Sequence, residues 1–259
     1  MIIVMDLRRY QFVKEVNIYH NGDERMRHLN QNRQFEEAAK LIHDSNQLYT
    51  ITGAGISTVV GIPDLAHLPR GRNLSSELAL EADPQVFYQG FHQIFIDPIF
   101  NHGPSRAHQI LAKWETAGLL KGIVTTNVDY LHELAGSRQV ADIWRNLNIN
   151  YCLKCGRTYD INVLKASVPQ CPECGGLISP DPVYHNIATD DHAVRRANAW
   201  MDQADLVITI GTNGYYPNTG TAKIIDINPI NDGFTSEATI QLRTTADDGL
   251  DKLDQLLKY

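Results

Sequence analysis

Leu48-Tyr49-Thr50-Ile51-Thr52-Gly53-Ala54-Gly55-Ile56-Ser57 decides the fold of this chain. A short apolar run breaks into a glycine turn, and Gly61-Ile62-Pro63-Asp64 follows soon after. A strand that ends in such a turn lets backbone N–H groups approach a phosphate. A helix starting there would point its positive end at the same spot. Thr58 stands where the usual dinucleotide fingerprint has a third glycine, so the turn takes its meaning from the segments that follow.

The 259 residues allow one large domain with an insertion or two modest domains. A formal net charge of −7 argues against nonspecific duplex binding, which needs a basic face, so nucleic acid is not an expected partner. No apolar run approaches the ~20 residues that span a bilayer. Ile2-Ile3-Val4-Met5 is too short for a signal-peptide core. A cytoplasmic protein with no membrane partner is the expectation.

All four cysteines lie in one stretch, as Cys152-x2-Cys155 and Cys171-x2-Cys174. That spacing suits two tight thiolate turns closing on one tetrahedral Zn²⁺, with Lys154, Gly156, Gly175 and Gly176 as knuckle residues. Disulfides or free thiols are the alternative. A set of four sulfurs leaves no open position, so the ion would be structural.

Elsewhere, Tyr10, Phe12, Val16 and Ile18 share one parity and hint at a strand or hairpin. Phe35, Ala38, Ala39, Leu41 and Ile42 recur at helical spacing. Residues 65–104 carry Pro69, Pro84, Pro98 and Pro104 and read as a loop with short helices outside the sheet. Pro104 opens a helix that Gly118 closes. Strands are expected at 122–125, 139–144, 206–210, 224–227 and 240–242. One helix is expected after an N-cap at Asp190 or Asp191. Another carries Leu250, Leu253, Leu256 and Leu257 inward. Strands alternating with helices give an α/β, doubly wound parallel sheet.

The pattern resembles the sirtuin family, the NAD-consuming protein deacylases and their relatives. Gly53-Ala54-Gly55-Ile56-Ser57 with Gly61-Ile62-Pro63-Asp64 is similar to its first cofactor motif, and Thr125-Thr126-Asn127-Val128-Asp129 through Gly136 to its second. The four cysteines match its zinc ribbon. Gly211-Thr212-Asn213 and Asn228 look like its later phosphate- and ribose-contacting turns. The resemblance implies NAD as co-substrate, a protein acceptor as partner, and Zn²⁺ on Cys152, Cys155, Cys171 and Cys174. It implies a Rossmann-like NAD-binding domain over 31–64, 105–148 and 182–259. A small helical and zinc-ribbon domain would take 65–104 and 149–181, and residues 1–30 would form an N-terminal extension. Gly53, Ala54, Gly55, Ser57, Asp64, Asn127, Asp129, Gly211, Thr212, Asn213 and Asn228 would contact the cofactor. Asn127 and Asp129 would orient the nicotinamide ribose and carry the chemistry. The plainer readings are Asp129 as a helix N-cap, which can coexist with a role in binding, and Asn228 as a turn former before Pro229. His108 and His132 would tie helices together.

The chain departs from the family at the residue that usually acts as general base, a histidine eight positions before the first zinc cysteine. Here it is Trp144, followed by Arg145. Indole has no in-plane lone pair and takes no proton near neutral pH. The family's Phe-Arg after Pro63-Asp64 is Leu65-Ala66, with Arg70 or Arg72 as substitutes for the charge. The family's substrate-binding strand becomes Val183-Tyr184-His185-Asn186. His185 is either a replacement base or a surface histidine. Trp144 is either a core aromatic or a stacking surface over the cleft. Divergent class M sirtuins share the missing histidine and are associated with ADP-ribosylation, although they favour a polar amide at that position. Cleaving the nicotinamide bond needs an oriented cofactor and little base catalysis. The favoured expectation is therefore an NAD-cleaving transferase that moves ADP-ribose to a protein. A protein-lysine deacylase, or an NAD- or ADP-ribose-binding module without chemistry, remains open.

Overall fold

The computed structural model describes residues 29–64, 74, 76–230 and 232–258. The alternation expected around Tyr10 to Ile18, and Leu65, Ala66, Arg70 and Arg72, lie outside those residues.

Helix α1 (29–44) leads into strand β1 (Leu48–Thr52). Two 3₁₀ turns follow, Ala54–Ile56 and Thr58–Val60. The α-helix expected after the glycine turn does not form. Thr58, Val59 and Val60 are β-branched, and Gly61, at φ 94°, ends the second turn just before Pro63. Helices α2 (Glu77–Ala82), α3 (Pro84–Phe91) and α4 (Asp97–His102) stand outside the sheet, as expected. A π turn, His92–Ile96, joins α3 to α4 without a break. Helix α5 (Arg106–Thr116) begins two residues later than expected. Its N-cap is Ser105, whose hydroxyl takes the His108 N–H, and Pro104 lies outside.

Then come β2 (Leu120–Thr125), α6 (Leu131–Leu134), β3 (Val140–Asp142), β4 (Asn150–Cys152), β5 (Thr158–Tyr159) and β6 (Ile178–Pro180). Where a substrate strand was expected, Asp181–Tyr184 forms a helical turn, α7. Pro182 sits in its first turn, and Asn186 and Ile187 both adopt positive φ, which no strand accommodates. Asp190 caps α8 (Asp191–Met201), accepting from the His192 and Ala193 N–H groups. Strands β7 (Leu206–Ile210), β8 (Lys223–Ile227) and β9 (Ile240–Leu242) and helix α9 (Ala246–Leu257) complete the order. Leu250 and Leu253 are buried in α9, but Leu256 is exposed because it falls off the inward stripe.

Six parallel strands run in the order β3-β2-β1-β7-β8-β9. Counted along the sheet's own strands, this is the doubly wound Rossmann order, and it reverses between β1 and β7. Alternate side chains of each strand serve opposite faces. Leu48, Ile208 and Ile210 join α1, α5 and α9 in one core, while Tyr49, Ile51 and Val207 join α8 in another. A three-stranded antiparallel sheet, β5-β4-β6, carries the cysteines. The helices of 77–102 pack on that module: Leu80, Phe87 and Tyr88 share a cluster with Ile161 and Leu164, and the Tyr88 hydroxyl donates to Ile178 O at 2.5 Å. Among the described residues, no helix is long and apolar enough to cross a membrane.

Candidate active site

Open α/β sheets bind ligands outside the strand ends where the order reverses. Here that point lies between β1 and β7, and the turn after each strand packs on the other. Gly53 N–H donates to Ile210 O at 3.1 Å and Gly55 N–H to Gly211 O at 2.8 Å. A Cβ on Gly55 would lie 2.6 Å from Gly211 Cα, and one on Gly53 2.7 Å from Thr212 Cα. Both N–H groups were expected to face a phosphate. They are spent on the neighbouring turn instead, and the glycines serve the closeness of the two backbones.

The crevice has two chambers. Gly53, Ala54, Asn127, Asp129, Phe95 and Trp144 line the first, together with Tyr215. Gly55, Asn228, Ile230, Thr245 and Ala246 line the second. Pro63, Asp64, Gly211 and Asn213 border both, and Asn213 Nδ2 donates to Asp64 Oδ2 at 3.1 Å. The amino end of α9 meets the second chamber, where its dipole favours an anion. A dinucleotide spanning both chambers would set its phosphates at the shared border.

Ser57 and Thr212 line neither chamber. Ser57 is fully buried, and its hydroxyl, expected to face the cofactor, donates to Asp129 Oδ2 at 2.7 Å. Asn127 Nδ2 donates to Gly53 O at 3.2 Å and lies 3.3 Å from Ser57 Oγ. Asp129 Oδ1 accepts the Leu131 N–H at 3.0 Å in a local turn, but the N-cap of α6 is Tyr130, so the plainer reading of Asp129 as the cap residue does not hold. Burial pushes the Asp129 carboxyl above its ordinary value, and the bonds from Ser57 and Leu131 pull it back down. Thr212 O and Asp232 Oδ2 accept from Asn228 Nδ2, at 3.3 and 2.7 Å, and Asn228 Oδ1 takes the Ile230 N–H in a turn.

Beneath the site, His132 Nε2 meets Thr52 Oγ1 at 2.8 Å and His108 Nδ1 meets Ser105 Oγ at 2.9 Å, their rings 4.7 Å apart. Both are buried, and burial holds His132 down at about 3 and His108 well below its usual value. They tie elements together in neutral form, as expected.

Trp144 packs on two apolar clusters and also lines the first chamber, with the Tyr215 ring 5.6 Å away at 55°. It is core and cleft wall at once. No histidine among the described residues lines either chamber. His185 sits 3.4 Å from Asp181 Oδ1 and edge-on to Tyr184, which is the surface reading. Phe95, Tyr215 and Thr245 were not foreseen. Only Thr245 had a legible signal, because Thr245-x-x-Asp248 before an apolar stripe is a capping box.

The four sulfurs fit a zinc ion. All lie within 4.8 Å of one another, and the closest pairs, Cys152–Cys174 at 3.5 Å and Cys155–Cys171 at 3.7 Å, are far from disulfide length. Tetrahedral Zn–S bonds of about 2.3 Å put the sulfurs about 3.8 Å apart. The Tyr159 hydroxyl adds a contact to Cys171 Sγ at 3.0 Å.

The sequence model of the Sir2 family matches residues 53–215. An NAD-dependent protein deacylase of Aeropyrum pernix is 30% identical over 241 residues, covering 85% of this chain and 96% of its own. An NAD-dependent protein deacetylase of Sulfolobus acidocaldarius is 37% identical over 190 residues, covering 69% and 73%. Among solved structures, a complex of Sir2 with p53 peptide and NAD+ superposes with a TM-score of 0.72 at 30% identity, over 85% of this chain and 96% of that one. A Sir2 homologue with NAD gives 0.74 at 30% identity, over 86% and 93%. The chain therefore belongs to the Sir2, or sirtuin, family.

Proposed function

We propose that the crevice binds NAD across the switch point, breaks the bond between nicotinamide and its ribose, and passes the sugar to the acyl group of a protein lysine. One observation carries the first half: Asn127, Ser57 and Asp129 form a single hydrogen-bonded group against the first chamber. A nicotinamide carboxamide and ribose hydroxyls need donors and acceptors fixed in place, and this group is fixed by burial. When bound, NAD supplies the leaving group, and the Asp129 carboxylate answers the positive charge that develops on the sugar. Phe95, Trp144 and Tyr215 give that end an aromatic lining, which a bound nicotinamide would pack against. Asn228 and the amino end of α9 hold the adenosine side. The second half is supported by the relatives, whose names speak of deacylation and deacetylation. They favour acyl-lysine over the ADP-ribose transfer expected from the sequence.

Transfer of ADP-ribose to a protein is a second reading, and Trp144 favours it. The later hydroxyl chemistry of deacylation calls for a proton acceptor, and an indole is none. Incubation with labelled NAD and a panel of acylated peptides separates the readings. Nicotinamide release with peptide deacylation supports the first, and release with labelled protein but intact acyl-lysine supports the second. Nucleotide recovered unchanged would overturn both in favour of binding alone.

A further inference from the structure

Trp144 lines the crevice, and the next residue opens onto a different space. Arg145, with φ 65°, borders a cavity of about 370 Å³ where β3, β4, α7 and α8 meet. Asp142, Tyr151, Asp181, Asp190 and Arg196 line it as well, and none of the six touches either chamber of the crevice.

Most of the charge around this cavity is already engaged. Arg145 Nη1 donates to Asp190 Oδ2 at 3.3 Å, and Asp190 Oδ1 caps α8. Arg196 donates to Val140 O and lies over the Trp200 ring at 5.3 Å. Three buried polar atoms are left without a hydrogen bond: Asp181 Oδ1, Asp142 Oδ1 and Arg145 Nε. Asp181 is the telling one. It is 2% exposed, and its nearest basic groups stand off, His185 Nε2 at 3.4 Å from Oδ1 and Arg145 Nη1 at 3.9 Å from Oδ2. The Tyr151 hydroxyl also bears on this carboxylate, yet a buried carboxylate oxygen left without a hydrogen bond is costly, so Oδ1 lacks a donor. The aromatic wall suits a cation. Of the rings, Tyr151 lines the cavity; it stacks on Tyr184 at 4.8 Å, and His185 meets both edge-on. An anionic ligand would find Arg145 Nη1 and the Arg196 head already engaged and three carboxylates opposing it.

We propose that this cavity takes a lysine or arginine side chain of the protein substrate. Its cationic head would settle on Asp181 beside the Tyr151 ring, and a main-chain carbonyl of the same segment would accept from Arg145 Nε. This rests on the protein-substrate reading above. It assigns the chain a preference for acceptor sites with a basic residue nearby.

The test uses the zinc-loaded full chain and two probes, N-acetyl-arginine amide and its neutral isostere N-acetyl-citrulline amide, titrated by NMR. The arginine probe should saturate with shifts centred on Tyr151, and the citrulline probe should bind at least about tenfold more weakly. Asp181→Asn should erase that preference. Should Asp181→Asn not fold, Tyr151→Leu serves, with the arginine affinity falling severalfold. Equal binding of the two probes to the native chain would overturn the proposal, as would an undiminished preference in a folded Asp181→Asn chain. Neither readout needs turnover. Nicotinamide release on the same sample judges the NAD reading separately.

Discussion

The Ser57 hydroxyl donates to Asp129 Oδ2 across 2.7 Å, joining the first cofactor turn to the second inside a space that water does not reach. The bond opposes the effect of burial on Asp129. Without it, the carboxyl would protonate more readily and Asn127 Nδ2 would lose one of its two acceptors.

Ser57→Ala should therefore lower kcat/KM for nicotinamide release by about tenfold or more, the worth of a hydrogen bond to a charged group. Asp129 moves further up, so the acid limb of the rate profile should shift to higher pH. Superimposable profiles for the two proteins would mean that Ser57 does not tune Asp129.

Trp144→His puts an imidazole at the wall of the first chamber. If acyl-lysine turnover lacks only a base, peptide deacylation should rise by about a hundredfold, the typical worth of general base catalysis. Nicotinamide release, which needs little base, should change far less. Parallel measurement of both products from one reaction checks the split. An equal change in both would trace the effect to the shape of the cleft.

How much of this was legible follows from distance along the chain. The β1 run and the two Cys-x2-Cys pairs are local patterns, and the structure keeps them. Asp190 as a cap was readable for the same reason. The use of the Gly55 N–H was not, because its acceptor, Gly211 O, comes from a distant strand end. Phe95 reaches the crevice from a π turn that no periodicity announces, and Tyr215 from a loop. The turn at Asp181–Tyr184 overrode the expected strand because proline and two positive-φ residues decide backbone shape locally. Family likeness had suggested otherwise.

Gly176 allows a prediction about the metal. A Cβ there would lie 2.8 Å from Cys152 Sγ and 2.6 Å from Lys154 Cβ, and Gly176 O accepts the Cys171 N–H at 2.7 Å. Gly176→Ala should push the sulfur cage apart and weaken zinc binding by about tenfold or more, in line with other losses around a metal site. Competition against a chromogenic chelator measures this directly. Unchanged affinity would show that the knuckle gives way without cost.

Glu133, beside Asp142, contributes to the pH dependence of stability. Asn146 Nδ2 reaches Asp142 Oδ2 at 3.1 Å and Glu133 Oε1 at 3.4 Å. Burial first, then the neighbouring Asp142 charge, pushes Glu133 from its ordinary 4.5 up to about 9. Between those values the folded chain keeps a proton that the unfolded chain has released, so stability falls as pH rises through that window. His132 works in the opposite sense. Held at about 3 against an ordinary 6.5, it stays neutral when folded, and its contribution is lost as pH falls below 6.5. Between 4.5 and 6.5 these two effects oppose each other, and His108, also pushed down by burial, adds to the His132 side, so the loss from Glu133 dominates only above about pH 6.5. Glu133→Gln removes one titrating group without removing the polar contact. Its stability should fall less steeply above that pH, by at most ~1.4 kcal/mol per pH unit. Urea unfolding at a series of pH values reads the slope. Parallel curves for the native and Glu133→Gln chains would mean that Glu133 is not where the proton is kept.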